Sequence, residues 1–174
     1  KVIKNMKQND KFKFDDANVM NELVYRNLSE DAKRQICAWK YGREYDLYNL
    51  PSYEEMQVRQ IGFMNPQREK NYYGFWDESI LVGFVNILEE KEEVFIGIGV
   101  NPDLCNKHYG QRMLLITYEI SKKLYPDKPL YLEVRTWNIR AVKCYQKAGF
   151  RIDGQAYELT TGIGTGTFYR MIRE

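Results

Sequence analysis

Branched apolar residues alternate with glycine over residues 96–100, within an uncharged run Val94–Val100. Apolar positions take helical spacing over residues 110–124, return to a period of two over Leu130–Arg135, and take helical spacing again over 138–149. A two-residue period belongs to a strand and one near 3.6 to a helix, so this stretch predicts strand, loop, helix, strand, helix. The punctuation agrees with the periods. Asn101-Pro102 stops the first strand, Gly110 ends the loop, Asn138 is a good helix N-cap and Gly149 a matching C-terminal stop. Met113, Ile116, Thr117, Ile120 and Leu124 fall on one face of the first helix. In the second strand Leu130, Leu132 and Val134 share one face, and Tyr131, Glu133 and Arg135 share the other.

The flanking sequence is read the same way. Residues 22–28 predict a strand, and Ser29 then N-caps a helix with Glu30 and Asp31 in its first turn. Ala32, Ile36 and Trp39 give that helix its buried stripe and Gly42 its end. Residues 45–50 fit either an extended or a helical reading. Pro51 interrupts them, and Ser52 with Glu55 forms a capping box for a short helix over 53–60. Residues 65–70 read as loop, and 71–76 with 80–88 form a hairpin about Asp77-Glu78-Ser79. The charge run Glu89–Glu93 reads as a solvated turn. Beyond Phe150 a strand, a loop over 160–166 and a closing strand over 167–172 are expected. Gly162, Gly164 and Gly166 are not a dinucleotide fingerprint, because no helix follows them. The order predicts one α+β domain over 22–174. Its central sheet is mixed and mostly antiparallel, with βαβ units in the second half, one parallel strand pair and helices on both faces. Residues 1–21, polar and weakly patterned, form an N-terminal extension.

Composition removes several function classes. A chain of 174 residues supports one hydrophobic core. A net charge of +2 leaves no electrostatic footprint for nucleic acid or a membrane surface. No apolar run reaches the roughly 20 residues of a spanning helix, and the first 16 residues lack the apolar segment of a signal peptide. Cys37, Cys105 and Cys144 are odd in number and show no C-x-x-C spacing, which favours a reducing, cytoplasmic setting. With His108 the sole histidine and no clustered thiols, no metal site is expected.

Candidate chemistry sits in the strand-loop-helix stretch. Gly97 and Gly99 lie on one face of their strand, which marks close approach by a ligand or tight packing against a helix. Cys105-Asn106-Lys107-His108-Tyr109-Gly110 leads into a helix whose first N–H groups are free to bind an anion, and Lys107 adds charge. Glu133 lies on a strand between two helices. Either it is paired with Arg135 or exposed at an opening in the sheet, or it serves as a general base.

The run V-N-P-D-L-C-N-K-H-Y-G-Q-R-M-L resembles the acetyl-CoA-binding loop of the GNAT superfamily of N-acetyltransferases. That loop usually reads Arg/Gln-x-x-Gly-x-Gly/Ala; here the three positions are Cys105, His108 and Gly110. A second family motif, N-x-x-A-x-x-x-Y-x-K-x-G-F, is met in full by Asn138, Ala141, Tyr145, Lys147, Gly149 and Phe150. Residues 132–150 are similar to the ribosomal-protein alanine acetyltransferase branch, which carries a glutamate and a tyrosine at the separation of Glu133 and Tyr145. The resemblance implies acetyl-CoA held by Ile98, Val100, Cys105, Asn106, Lys107, His108, Tyr109, Gly110, Gln111 and Asn138. It implies Glu133 as base toward an amine and Tyr145 as proton donor to the leaving thiolate, with oxyanion donors from backbone N–H groups of residues 98–100. The expected reaction is direct acetyl transfer to a primary amine, on a small molecule, a protein N-terminus or a lysine, by a monomer or homodimer. The departures at Cys105 and His108 motivate an alternative, a non-catalytic acyl-CoA-binding module. The acceptor is expected against residues 39–53, where Tyr45, Tyr48 and Tyr53 are candidate walls, and against the last hairpin.

Overall fold

A computed structural model of the chain describes residues 22–174; the expected extension over 1–21 lies outside the described residues. Eight strands form one sheet: β1 Val24–Asn27, β2 Tyr72–Asp77, β3 Ile80–Glu89, β4 Val94–Val100, β5 Leu130–Arg135, β6 Arg151–Ile152, β7 Tyr157–Thr161 and β8 Gly164–Arg173. Their order is β1-β2-β3-β4-β5-β8-β6, with β7 beside β8. Only β4 and β5 run parallel, and every other pairing is antiparallel. The helices are α1 Glu30–Ala38, α2 Tyr53–Arg59, α3 Tyr109–Leu124 and α4 Ile139–Lys147.

The caps explain the helix starts. Ser29 Oγ accepts the Ala32 N–H at 3.2 Å, Ser52 Oγ the Glu55 N–H at 3.1 Å and Asn138 Oδ1 the Ala141 N–H at 3.2 Å. One apolar core joins α3 and α4 to the sheet through Met113, Leu114, Ile120, Leu130, Leu132 and Val142. A second core, with Ile36, Met56, Phe63, Trp76 and Leu81, seats α1 and α2 on the opposite face. Helices therefore cover both faces of the sheet.

Several expectations change. Helix α1 stops at Ala38, because Trp39 takes an extended conformation (φ −62°, ψ 137°) and lays its ring against Phe84, centroids 6.2 Å apart. Gly42 instead precedes a 3-10 helix, Arg43–Tyr48, which resolves the ambiguous segment. The second βαβ unit is not a pair of neighbours, since β6 bonds to β8, which lies between it and β5. The loop expected over 160–166 is a tight hairpin. Gly164 supplies a φ of 102°, and Thr160 and Thr165 share a hydroxyl hydrogen bond of 2.8 Å across it. The charge run after β3 is largely paired. Lys128 binds Glu89 at 2.6 Å, the Tyr131 hydroxyl donates to Glu90 at 3.0 Å, and Glu93 pairs with Arg170.

Candidate active site

The parallel ladder between β4 and β5 is short. Val94 pairs with Leu130 and Phe95 with Tyr131, and the register then ends. Val94 donates its N–H to Pro129 O at 2.9 Å. Alternation along the strand turns the N–H and C=O groups of Ile98 and Val100 to that same side, where β5 has already diverged. The result is a gap through the sheet and a cavity of about 640 Å³ running into it. That volume lies in the range of small-molecule sites.

Side-chain alternation assigns the two mouths of the gap. Ile96 and Leu132 belong to the core under α3 and α4. Phe95, Gly97, Gly99 and Glu133, of opposite parity, therefore face the α1 side. Gly99 is required there by neither a ligand nor a helix. A Cβ on it would sit 2.4 Å from a ring carbon of Phe84, its cross-strand partner. At Gly97 a Cβ would make only ordinary contacts, the nearest at 3.5 Å, so its missing side chain leaves the cavity wider.

At the α3 mouth, Asn106 and His108 both take φ of 63°, which compacts the loop into a turn. His108 is the N-cap of α3 and makes no side-chain capping bond. The left-handed region that the family's glycine would enter freely is thus occupied by histidine. The helix start keeps its N–H groups open toward the cavity, a site suited to phosphate. Gly110 is held small, since a Cβ there would lie 3.0 Å from Cys144 Sγ. Lys107 is exposed and lies outside the cavity lining, although its neighbours Asn106 and His108 border the cavity. The other nominated positions, Ile98, Val100, Cys105, Asn106, His108, Tyr109, Gly110, Gln111 and Asn138, all line the cavity. The Tyr109 hydroxyl is spent on Asp77 at 2.6 Å and Gln111 Nε2 on Lys147 O at 3.4 Å. The Asn138 amide is engaged at both ends: Oδ1 caps α4, and Nδ2 donates to the Tyr48 hydroxyl at 3.2 Å.

Glu133 and Tyr145 line the same cavity. Glu133 does not pair with Arg135, whose Nη groups donate to the carbonyls of Thr165 and Gly164, each at 3.3 Å. Its partner is Tyr157, whose hydroxyl donates to Oε1 at 2.7 Å. Tyr145 projects from α4, and burial pushes its phenol well above the ordinary tyrosine value, with Cys144, Tyr48 and Tyr41 adding to the shift. Cys105 and Cys144 are also pushed up by burial, which keeps them protonated and poorly nucleophilic.

Three features escaped the sequence reading. Tyr41 donates its hydroxyl to Val100 O at 2.6 Å, closing one edge of the gap. Tyr157 supports Glu133, and nothing in its alternating strand marks that partner. Arg140, Lys143 and Lys147 form a basic stripe along α4 at the cavity, and their helical spacing was legible. Of the three tyrosines proposed as acceptor walls, only Tyr48 lines the cavity. Tyr53 is buried in the second core with its hydroxyl on Glu30, and Tyr45 packs on Trp137, centroids 5.7 Å apart.

The acetyltransferase (GNAT) family model matches residues 33–150. This chain belongs to that family. It is accordingly an N-acetyltransferase that uses acetyl-CoA and acts on an amine. No curated protein sequence matches it significantly. Among solved structures it is similar to spermidine N-acetyltransferase from Vibrio cholerae in complex with CoA and spermine. That match has a TM-score of 0.69 at 19% identity and covers 87% of this chain and 94% of that one. A GNAT-family acetyltransferase from Bacillus anthracis gives 0.67 at 16%, covering 87% and 93%. A ribosomal-protein alanine N-acetyltransferase from Escherichia coli gives 0.60 at 18%, covering 86% and 92%. These likenesses establish the shared fold. No helix among the described residues is long and apolar enough to cross a membrane.

The donors present fit acetyl-CoA. An uncapped helix start and a basic stripe suit its phosphates, and two amides with no ladder partner border the opening where an acyl group would lie.

Proposed function

We propose that the chain transfers acetyl directly to a primary amine, with Glu133 as the base and Tyr145 as the acid. One observation carries the reading: the β4–β5 pair opens beyond Phe95 and Tyr131, and one cavity reaches the carboxylate from one face and the phenol from the other. Bound acetyl-CoA would supply an activated acyl thioester. The amides of the α3 start, with Asn106, His108 and Gln111, would hold its phosphates, and the Ile98 and Val100 backbone its arm.

The remaining chemistry belongs to the chain. An alkylammonium has a pKa of about 10.4 and must lose a proton before it can act as a nucleophile. Glu133 is the carboxylate at hand to receive it, directly or through water, and the Tyr157 hydroxyl fixes its orientation. The free N–H groups of Ile98 and Val100 would stabilise negative charge developing on the acyl oxygen. Burial keeps Tyr145 protonated, so its hydroxyl would be a donor to the departing sulfur as the carbon–sulfur bond breaks. Direct transfer is favoured over an acyl-cysteine route because both thiols at the cavity are kept protonated.

Thiol release from acetyl-CoA across an amine panel tests this. Tyr145→Phe is expected to lower kcat by about 10²-fold or more, the scale of general acid–base catalysis, with acetyl-CoA affinity by calorimetry nearly unchanged. A wild-type kcat on a good acceptor would remove Tyr145 from the mechanism.

A further inference from the structure

The α1-side mouth of the gap has a distinct lining. Trp39, Phe84, Phe95 and Phe168 supply aromatic surface there, and Ile163 overhangs it from the tip of the β7–β8 hairpin. Glu133 is the sole carboxylate among the described residues that line the cavity, and the ionised side chain that shares its face of β5, Arg135, is cationic. Acidic groups elsewhere on that sheet face are already spent. Glu93 and Asp153 both bind Arg170, Glu90 takes the Tyr131 hydroxyl and Glu89 takes Lys128. Glu44 and Asp46, on the 3-10 helix, are exposed and do not line the cavity.

An ammonium entering an apolar cleft must be paired or it pays a heavy desolvation penalty. One carboxylate pairs one ammonium. A polyamine or aminoglycoside would bring further positive charges to a wall that offers aromatic rings and the Arg135 guanidinium. The rings instead match an apolar body, and ring faces also favour a single cation close by.

We infer that the acceptor is a primary amine bearing one positive charge on an apolar or aromatic body. This rests on the acetyl-transfer reading above and parts from the Vibrio cholerae enzyme, whose fold it shares but whose bound amine is spermine. Glu133 takes the ammonium group, and Trp39, Phe84 and Phe168 take the apolar body. Selectivity against polycations follows from the lack of a second carboxylate among the described residues that line the cavity.

The test measures thiol release by the purified full chain with acetyl-CoA and either phenethylamine or spermidine, alongside calorimetry of acetyl-CoA alone. The kcat/KM for phenethylamine is expected to exceed that for spermidine by at least about tenfold, a discrimination sites reach when a polar group is left unpaired. Trp39→Ala should raise the KM for phenethylamine and leave that for acetyl-CoA unchanged. Ile163→Glu changes an exposed turn residue, so it tests the idea even where the Trp39 variant fails to fold; it should raise kcat/KM for spermidine and lower it for phenethylamine. Equal or better turnover of spermidine by the unmodified chain overturns this inference and leaves acetyl transfer standing. Acetyl-CoA binding with no turnover of either amine overturns both.

Discussion

Strands β4 and β5 begin as a paired ladder and end as the two lips of a cleft, and the two halves obey different rules. In the first half, Val94 and Leu130 are fully buried and the backbone groups satisfy each other. In the second, backbone groups of Ile98 and Val100 face a cavity, and the Val100 carbonyl finds its partner in the hydroxyl of Tyr41, nearly sixty residues away in sequence. Apolar side chains hold the first half together. The second half is kept apart by the elements around it and carries the chemistry. Substitutions in the paired half should therefore act on stability, and those in the open half on rate.

The largest effect is expected in the open half. Glu133→Gln keeps an oxygen to accept the Tyr157 hydroxyl but cannot take up a proton. Its kcat/KM should fall by about 10²–10⁴-fold with little change in Tm. A fall in Tm together with the rate would make Glu133 a structural residue and erase the contrast between the halves. Leu130→Ala is the matching change in the paired half. Truncating a fully buried leucine should cost about 2–5 kcal/mol in urea unfolding. At a temperature where the variant remains folded, its KM for acetyl-CoA should match that of the unmodified chain. A selective rise in that KM would mean that the ladder and the cleft are one mechanical unit.

The same contrast decides what the sequence could reveal. The paired half and both neighbouring helices were legible, because alternation, caps and helical stripes are local signals: Val94–Val100 and Leu130–Arg135 are found with the expected bounds, and Ser29, Ser52 and Asn138 are the caps expected. The α3 mouth was legible because its donors come from one contiguous turn. The α1 mouth was legible only in part: Glu133 was named, and residues 39–53 and the last hairpin were expected as walls, but Trp39, Phe84, Glu133 and the hairpin carrying Ile163 and Phe168 are four separate segments that no periodicity links. Trp39 was placed on a helix stripe, whereas its ring contact with Phe84 ends that helix and turns the chain toward the cleft. Tyr157 and Tyr41 were silent for the same reason, since each acts through one hydrogen bond to a distant strand.

Asn138 stands at the boundary between the halves, and a smaller effect is expected there. Its side-chain oxygen caps α4 while its nitrogen holds Tyr48 at the cleft. Asn138→Ala should cost about 0.5–2 kcal/mol, the usual loss for a removed cap. Asn138→Asp retains the cap acceptor and should recover most of that stability, and its second oxygen can accept from the Tyr48 hydroxyl. A difference between the two variants in Tm therefore measures the cap, and a rise in the KM for acetyl-CoA confined to Asn138→Ala belongs to the lost tie. Equal destabilisation by Ala and Asp would show that the cap is not what Asn138 contributes.

The smallest effect concerns pH. Burial raises the phenols of Tyr41 and Tyr145 above their ordinary value, so in the folded chain they stay protonated where an unfolded tyrosine, with a pKa of about 10, has begun to ionise. Below pH of about 10 both states hold these protons, and the stabilising contribution is fully present. As pH rises further the unfolded state releases protons that the folded state keeps, so stability must fall. Tm measured in steps through this range should therefore decline, and the decline should be shallower in Tyr145→Phe, which removes one of the groups responsible. Other raised tyrosines, including Tyr131 and Tyr157, contribute to the same slope, so the difference between the two curves is the quantity that isolates residue 145. Parallel curves would mean that its hydroxyl is already well hydrated, and the open half of the strand pair would then be a wet groove in which a buried acid has no place.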